Sequence, residues 1–325
     1  MPLFLCEHIA LDLLRVLGDQ APRPTSSRSC LPPGAPPDPR KLNAASLHYL
    51  NLVDYRHRPF LCLVASEHER RSGYGIRCRI WASSLPPRSF AKLTDSLFIS
   101  SPEFTFLQMA KHLSLIKLIE LGFELCGRYA IDPASDGLLS RKNPLTTPEK
   151  LTLYLEKCGN VKGLKKARRA ARYVLAGSES PMETKLALVL CLPPSMGGFG
   201  LPKATLNQEL RLQLTDAGGN GAIERLVRCD LYWPAPYEVA IEYESNTWHL
   251  SNQKFSQDSI RRNDIVSSQV KVLTVTKDQI LNLAHWPKLA RQVADALGRK
   301  IETKVQDHGE TQRRLYIELF AHLFA

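Results

Sequence analysis

The second half of the chain alternates hydrophobic and polar positions in a way that predicts a mixed sheet flanked by helices. Strands are expected at Arg228–Trp233, Tyr237–Glu244 and Val270–Thr276. Helices are expected at Gln253–Ser268, near Lys277–Leu297 with a bend at Pro287, and near Thr311–Phe324. The order helix, hairpin, helix, strand, helix is typical of an α/β (α+β) domain.

Three further helices are marked by the residues at their starts. Each has a hydroxyl residue as N-cap, then a proline, then an acid in the first turn, as in Ser101-Pro102-Glu103, Thr147-Pro148-Glu149 and Ser180-Pro181-Met182-Glu183. They are expected to continue to about Leu113, Lys157 and Cys191. A basic helix is expected between the last two, at Lys162–Ala176.

The first part of the chain predicts a smaller α/β domain. Helical periodicity over residues 8–18 is followed by a Pro-rich linker at 21–39, and strands are expected at Leu61–Ala65 and Gly75–Trp81. Residues 127–146 contain Pro and Gly and predict a loop. The expected domains are an N-terminal helix with its linker (1–44), the smaller α/β domain (45–145) and the larger α/β domain (146–325).

The charge of the chain favours a polyanionic partner such as DNA. The net charge is +11 and the pI about 9.3, although a basic protein without such a partner is the alternative. Residues 160–172 hold six Lys or Arg and no acid. Phosphate contacts are therefore expected from Lys165, Lys166, Arg168, Arg169 and Arg172.

The cysteines and the apolar runs indicate in which cellular compartment the protein is expected. None of the eight cysteines forms a Cys-x-x-Cys pair, so their spacing gives no support to a zinc site. Most lie in apolar runs such as Phe60–Val64, where a reduced cysteine packs as a small hydrophobe. We expect a cytoplasmic protein, and the lack of an apolar run of about 18 residues predicts no membrane span.

Acidic residues are concentrated on one face of the second predicted strand. Alternation places Glu238, Ala240, Glu242 and Glu244 on that face. If Trp233 pairs near Tyr237 or Glu238, Asp230 falls opposite Ile241 or Glu242, and opposed Cβ atoms lie about 4.5–5.5 Å apart.

Two carboxylates so close repel each other, and a divalent cation removes the repulsion. Hard oxygen ligands suit Mg²⁺ or Mn²⁺, and the chemistry indicated is phosphodiester hydrolysis. The alternative is a strand surface whose acids are solvated.

The residues from about Ser178 to Gln279 resemble a known nuclease family. The series consists of Arg228–Trp233, Val239–Glu244, Trp248-His249, Asp258-x-x-Arg261 and Val270–Val275. It is similar to the very-short-patch-repair-like endonucleases of the PD-(D/E)XK superfamily. The resemblance implies a restriction-endonuclease-like mixed sheet flanked by helices.

Carried over by position, the resemblance implies roles for five residues. Asp230 and Glu242 would bind the metal, with Glu183 on the preceding helix facing the same site. His249 would act as an acid or base or bind the leaving phosphate, and Arg261 would hold a phosphate or brace the site. The alternatives are that Glu183 caps its own helix, that His249 is an ordinary loop histidine, and that Arg261 or Arg262 pairs along its helix with Asp258.

The sequence departs from the superfamily pattern at Glu244. A lysine usually stands there, where it orients the attacking water and stabilises developing charge. If the site is catalytic, Glu244 is a metal ligand or a base that positions water. Lys254 and Lys271 are the candidates to replace the lysine from nearby positions.

A second, shorter resemblance covers about residues 60–130. Leu85–Phe90, Leu97–Glu103 and Leu107-x-x-Ala110 are similar to the AbiEi-type antitoxins and abortive-infection regulators, although the winged helix with which those begin is not recognisable. It implies a link to bacterial defence, while a scaffold that positions the nuclease is the alternative.

The leading hypothesis is a Mg²⁺- or Mn²⁺-dependent DNA endonuclease in bacterial defence, mobile-element or repair context. One alternative is a non-catalytic DNA-binding transcriptional regulator that uses the nuclease fold as a scaffold. The other is an antitoxin-like protein whose partner is a protein, as in a toxin–antitoxin system.

Overall fold

The structure is a computed structural model, and it describes most of the chain. The described residues are 2–25, 30–36, 38, 42–53, 59–73, 75–135, 137–215, 222–244, 270–301 and 307–320. The chain forms two compact units, Met1–Val174 and Leu175–Ala325.

The first unit contains a six-stranded mixed sheet. Its strands are β1 (Leu3–Leu5), β2 (Phe60–Val64), β3 (Ser72–Gly73), β4 (Ile76–Ile80), β5 (Phe90–Lys92) and β6 (Leu97–Ser100). They lie in the order β3-β4-β2-β1-β6-β5, and the pairs β1–β6 and β2–β4 are parallel. The strands predicted around residues 61–65 and 75–81 are thus confirmed.

The helices of the first unit are α1 (Glu7–Leu17), α2 (Ala44–Asn51), α3 (Pro102–Met109), α4 (Leu115–Leu125), α5 (Pro148–Glu156) and α6 (Leu164–Ala171). Ser101 and Thr147 cap α3 and α5 as predicted, because their hydroxyls accept the N–H groups of Phe104 and Lys150. The basic helix is shorter than the predicted Lys162–Ala176, since Gly163 adopts the left-handed conformation and α6 begins only at Leu164.

Helices α5 and α6 belong to the first unit, which differs from the domain boundary expected at residues 145 and 146. Helix α5 packs on α3, and α6 packs on α4. Their apolar side chains Leu151, Leu155 and Leu164 are buried. Because both helices bury their apolar faces within the first unit, the division between the units comes after them, at Val174.

The segment expected to be a loop, residues 127–146, contains a small hairpin. Its strands are β7 (Tyr129–Ile131) and β8 (Leu138–Ser140). The buried Arg141 follows β8 and donates from Nε to the carbonyl of Gly127 at 3.2 Å and from Nη2 to that of Tyr129 at 2.6 Å. Strands of only three residues are too short to show a recognisable alternation of apolar and polar residues, so the sequence did not predict this hairpin.

The second unit contains a four-stranded mixed sheet. Its strands are β9 (Thr205–Thr215), β10 (Ala222–Trp233), β11 (Val239–Glu244) and β12 (Lys271–Thr276), in the order β12-β11-β10-β9. Strands β9, β10 and β11 are successively antiparallel, and β12 is parallel to β11. The last three strands confirm predicted elements, whereas β9 was not predicted.

The helices described in the second unit are α7 (Pro181–Cys191), α8 (Lys277–Leu281), α9 (Trp286–Ala296) and α10 (His308–Phe320). The helix expected over Lys277–Leu297 is divided rather than bent, because Pro287 lies in the first turn of α9, where its missing N–H has no partner to lose. The helix expected at Gln253–Ser268 lies outside the described residues.

At the level of fold class, the prediction of a mixed α/β protein is confirmed by helices combined with three open sheets. Six of the eight cysteines are buried and all eight are free, which fits the predicted packing role. In the ranges that the structure describes, no helix has the length and apolar character needed to cross a bilayer.

We predict that Gly122→Ala destabilises the first unit. A Cβ at this position of α4 would lie 2.3 Å from Cγ2 of Val174 and 3.2 Å from Cε2 of Phe106. Overpacking of this kind costs about 1–3 kcal/mol of unfolding free energy, measurable by urea denaturation. Gly159→Ala is the matched control, because nothing lies within 4 Å of its added Cβ. Equal stability of the two variants would contradict the packing of α4 on Val174.

Candidate functional site

The register between β10 and β11 brings two acidic residues together. Leu231 lies opposite Ile241 and Trp233 opposite Val239. One further step along the same register places Asp230 opposite Glu242, which is the second of the two predicted arrangements. Directly opposed residues of an antiparallel pair share one face of the sheet.

Asp230 lies where the ladder between these two strands ends. Its Oδ2 accepts the backbone N–H of Tyr243 at 2.6 Å. The side chain therefore reaches across to β11 beside Glu242, and the carboxylate takes the place of a backbone acceptor.

Glu183 approaches the same region from the start of α7. Ser180 is the N-cap, and its hydroxyl accepts the N–H of Glu183 at 3.2 Å and donates to Oε1 of Glu183 at 2.9 Å. The other oxygen, Oε2, accepts the backbone N–H of Glu179 at 2.8 Å. The alternative that Glu183 caps its own helix is thus right in part. Its carboxylate accepts the N–H of Glu179, the residue before the N-cap, rather than that of the N-cap itself.

Asn207 on β9 is a component of the site that the sequence interpretation missed. Its Nδ2 donates to Oε2 of Glu183 at 2.6 Å and to the carbonyl of Gly177 at 3.0 Å. Its φ of 50° lies in the left-handed region, which asparagine tolerates better than most residues. The sequence does contain one feature that could have pointed to Asn207, namely an Asn within a run of strand-forming residues. An Asn in such a run is, however, equally typical of a turn.

The loop before α7 lies close to β9. Gly177 has a φ of 88°, and a Cβ there would be 2.9 Å from the carbonyl oxygen of Leu206. An ion pair of 2.7 Å between Arg228 and Glu179 adds a link from β10 to the same loop. The position of Glu183 relative to the sheet is therefore set by contacts to both strands.

The environment of Glu183 raises the pKa of its carboxyl to about 6. Burial is the main cause, and the negative charge of Asp230 adds to it, while the bonds from Glu179, Ser180 and Asn207 act in the opposite direction. The interaction with Asp230 indicates that the two carboxylates are electrostatic neighbours. The group can take up a proton, or respond to a cation, near neutral pH.

The remaining acids of the second strand differ in their surroundings. Glu242 is buried and Glu244 is exposed, and they lie opposite Thr274 and Thr276 of β12. Glu238 precedes β11 rather than sharing its face, because its φ of 50° interrupts the extended backbone. The carboxylate of Glu238 accepts a hydrogen bond from the Tyr232 hydroxyl.

Lys271 does not supply the lysine that is usual at the position of Glu244 in the pattern the sequence resembles. Lys271 lies opposite Val239, five residues along β11 from Glu244, or about 16 Å at strand spacing. Lys185 is buried on α7, but it lies about 200° around the helix from Glu183, and its Nζ is 5.8 Å from the ring centre of Phe320. Lys254, His249 and Arg261 lie outside the described residues.

The donor set of the site has the chemistry that a hard divalent cation prefers. Glu183, Asp230 and Glu242 would each present carboxylate oxygens, and the negative charge of Asp230, which adds to the effect of burial on the pKa of Glu183, is one that a cation would offset. Among the described residues, no group of three or more His, Cys, Asp or Glu has the arrangement of metal ligands. One carboxylate oxygen of Asp230 and both of Glu183 accept hydrogen bonds from other groups of the protein.

The basic residues expected to bind phosphate divide into two groups. Arg168 donates from Nε and Nη2 to the carbonyl of Leu155 at 3.2 and 2.9 Å, and Lys166 donates from Nζ to the carbonyl of Leu113 at 2.8 Å. These two therefore bond to carbonyls at or near the ends of α5 and α3. The exposed cations at spacings of four and three residues, on one face of α6, are Lys165, Arg169 and Arg172.

Comparisons of the chain with protein-family models, with curated proteins and with solved structures found no match to any of them.

We predict that Glu183→Gln changes how stability depends on pH. A carboxyl whose pKa rises from 4.5 to about 6 on folding stabilises the protonated folded state, and this stability is lost as pH rises through 6. The free energy of unfolding of the wild type, relative to that of the variant, should fall by about 2 kcal/mol between about pH 4 and about pH 7.

The control for this measurement is Glu149→Gln. Glu149 also stands in the first turn of a helix that begins with Thr-Pro, but the hydrogen bond from Thr147 lowers the pKa of its carboxyl. Its variant should show no such fall in urea denaturation. A Glu183→Gln curve parallel to that of the wild type would show that folding does not raise the pKa of the Glu183 carboxyl.

Proposed function

We propose that the chain is a metal-dependent DNA endonuclease of the PD-(D/E)XK type, similar to the very-short-patch-repair-like enzymes. The observation that carries the proposal is the register that sets Asp230 opposite Glu242, together with the electrostatic interaction between Asp230 and Glu183. Helix α7 contributes Glu183, β10 contributes Asp230, and β11 contributes Glu242 opposite it. This order of helix, strand and strand is the one in which the resemblance assigns its acids.

Glu183, Asp230 and Glu242 would hold Mg²⁺ or Mn²⁺. When bound, such a cation lowers the pKa of a water nucleophile and stabilises charge on the phosphoryl oxygens. Asp230 is oriented by the N–H of Tyr243, and Glu183 by Asn207 and the start of its own helix. Asn207 is thus a positioning residue for the acid on α7.

DNA is the proposed partner because the chain carries a net charge of +11 and a stripe of exposed cations. Lys165, Arg169 and Arg172 would contact phosphates, whereas Lys166 and Arg168 serve mainly the structure of the first unit. Together with the AbiEi-like segment, this favours a role in bacterial defence, mobile elements or repair, in the cytoplasm.

A second candidate is a DNA-binding regulator or antitoxin-like protein that no longer cuts. Glu244 in place of the usual lysine favours it, and neither Lys185 nor Lys271 lies where it could substitute. In this case the acids would be a remnant of the nuclease site, and binding would be the whole activity.

Cleavage of supercoiled plasmid with Mg²⁺ or Mn²⁺ tests the proposal. We predict that the wild type nicks DNA and that Asp230→Asn loses nicking by at least about a hundredfold, since a ligand of the cation is removed. Metal should also raise the melting temperature of the wild type by mass action, and not that of Asp230→Asn. A wild type without nicking and without a metal-dependent shift would exclude the enzyme.

Glu244 separates an active site from a remnant. If Glu244 binds the cation or positions water, Glu244→Gln should lose both nicking and the metal-dependent rise in melting temperature. If the lysine was lost together with activity, Glu244→Gln should be as stable as the wild type or more stable, because repulsion between acids is relieved. Glu244→Lys should then restore weak cutting.

We predict that the double variant Lys165→Ala, Arg169→Ala weakens DNA binding equally for all sequences. Each phosphate contact releases counterions, so the slope of log K against log salt should flatten by about two units, as measured by fluorescence anisotropy. Arg313→Ala, which removes an exposed arginine of α10, is the control and should leave the slope unchanged. An unaltered slope in the double variant would show that α6 does not contact DNA.

A further inference from the structure

A cavity of about 410 Å³ lies in the second unit, between α9 and α10. Its walls come from α9, the residues that follow it, the first turns of α10 and the turn that contains Phe199. The apolar part of the lining is Phe199, Pro287, Ala294 and Ile301. The volume is in the range of pockets that enclose small molecules, about 300–1,000 Å³.

Basic residues dominate the polar part of the lining. The lining contains four basic residues, Arg291, Arg299, Lys300 and His308, and one acid, Asp295. The Nε and Nη2 groups of Arg299 donate to the hydroxyl of Tyr237 at 3.2 and 2.5 Å, so the orientation of its guanidinium is held. Cations gathered around a concave surface concentrate the field and attract anions.

Gln312 is a second and independent indication of a ligand. It lines the cavity and is only 8% exposed. Its Nε2 group is buried and has no hydrogen-bond acceptor among the residues that the structure describes. A buried donor without an acceptor destabilises a fold, so an acceptor supplied by a ligand explains its presence.

The start of α10 adds to the preference for an anion. This helix of 13 residues begins with His308 at the cavity, and the N-terminal end of a helix carries partial positive charge. The carbonyl of Gly198 can only accept, so Nε2 of His308 donates to it at 3.0 Å. The ring also meets Phe199 edge-on, with centroids 5.6 Å apart, and its orientation is therefore fixed.

We propose that this cavity binds a phosphate monoester of about mononucleotide size. The phosphate would be held by Arg291, Lys300, the Gln312 amide and the start of α10. The organic part would lie against Phe199 and Ile301. A monoester dianion fits the excess of basic side chains better than a neutral molecule does. The proposal is independent of the carboxylate site and of any nuclease activity.

Isothermal titration calorimetry of the full chain, without added metal, tests the proposal. The probes are adenosine monophosphate, inorganic phosphate, adenosine and a short single-stranded oligodeoxynucleotide. We expect one molecule of adenosine monophosphate to bind per chain, more tightly than inorganic phosphate or adenosine. No binding of either phosphate compound would overturn the proposal, as would adenosine binding as tightly as its monophosphate.

Four variants show whether the binding takes place in the cavity. Arg291→Gln and Gln312→Met should each weaken binding of the monophosphate by roughly tenfold or more. Asp295→Asn should tighten it, because a like charge is removed from the lining. Arg313→Gln, an exposed arginine of the same helix as Gln312 but outside the lining, should have no effect.

Stability separates loss of the ligand site from loss of the fold. Gln312→Met removes a donor without an acceptor, so its melting temperature without ligand should equal or exceed that of the wild type while its affinity falls. Equal effects of Arg291→Gln and Arg313→Gln would overturn the proposal. So would variants that change binding of the oligodeoxynucleotide alone, because the cavity would then be a contact for nucleic acid.

Discussion

The register of β10 is the constraint on which the candidate site depends. Leu231 lies opposite Leu206 of β9 on one side and opposite Ile241 of β11 on the other, and all three are buried. A slip of one residue would turn these side chains to the opposite face of the sheet. The same register, taken one residue further, places Asp230 between Asn207 and Glu242, so burial of the apolar residues also aligns the polar ones.

The acids lie close together in spite of their mutual repulsion, and hydrogen bonds from backbone and side-chain donors hold them there. Asn207 and the N–H of Glu179 both donate to Glu183, while the N–H of Tyr243 donates to Asp230. The ion pair between Arg228 and Glu179 links β10 to the loop before α7, the helix that carries Glu183. A buried carboxylate without such donors would be protonated, and these bonds are what keep the pKa of Glu183 from rising further.

Sequence revealed the parts of this arrangement that follow from local patterns. The N-caps Ser101, Thr147 and Ser180 and the strands from Arg228 to Thr276 are set by residues near each other in the chain. Asn207 could not be assigned, because its role depends on a helix 24 residues earlier in sequence. The bonds of Lys166 and Arg168 to backbone carbonyls were missed for the same reason, since a count of charges does not show which cations bond to carbonyls of the fold.

Strand β10 keeps β9 as a partner from Ala222 to Tyr232, yet among the described residues it pairs with β11 only from Leu231 to Trp233. Among the described residues, those before Asp230 therefore pair with β9 alone, and a pairing of two strands is marginally stable by itself. Amide hydrogens should exchange slowly at Leu231–Trp233 and progressively faster toward Ala222. Within the described part of the sheet, Asp230 thus stands where β10 passes from one neighbouring strand to two, so its carboxylate lies at the end that both β9 and β11 hold in place.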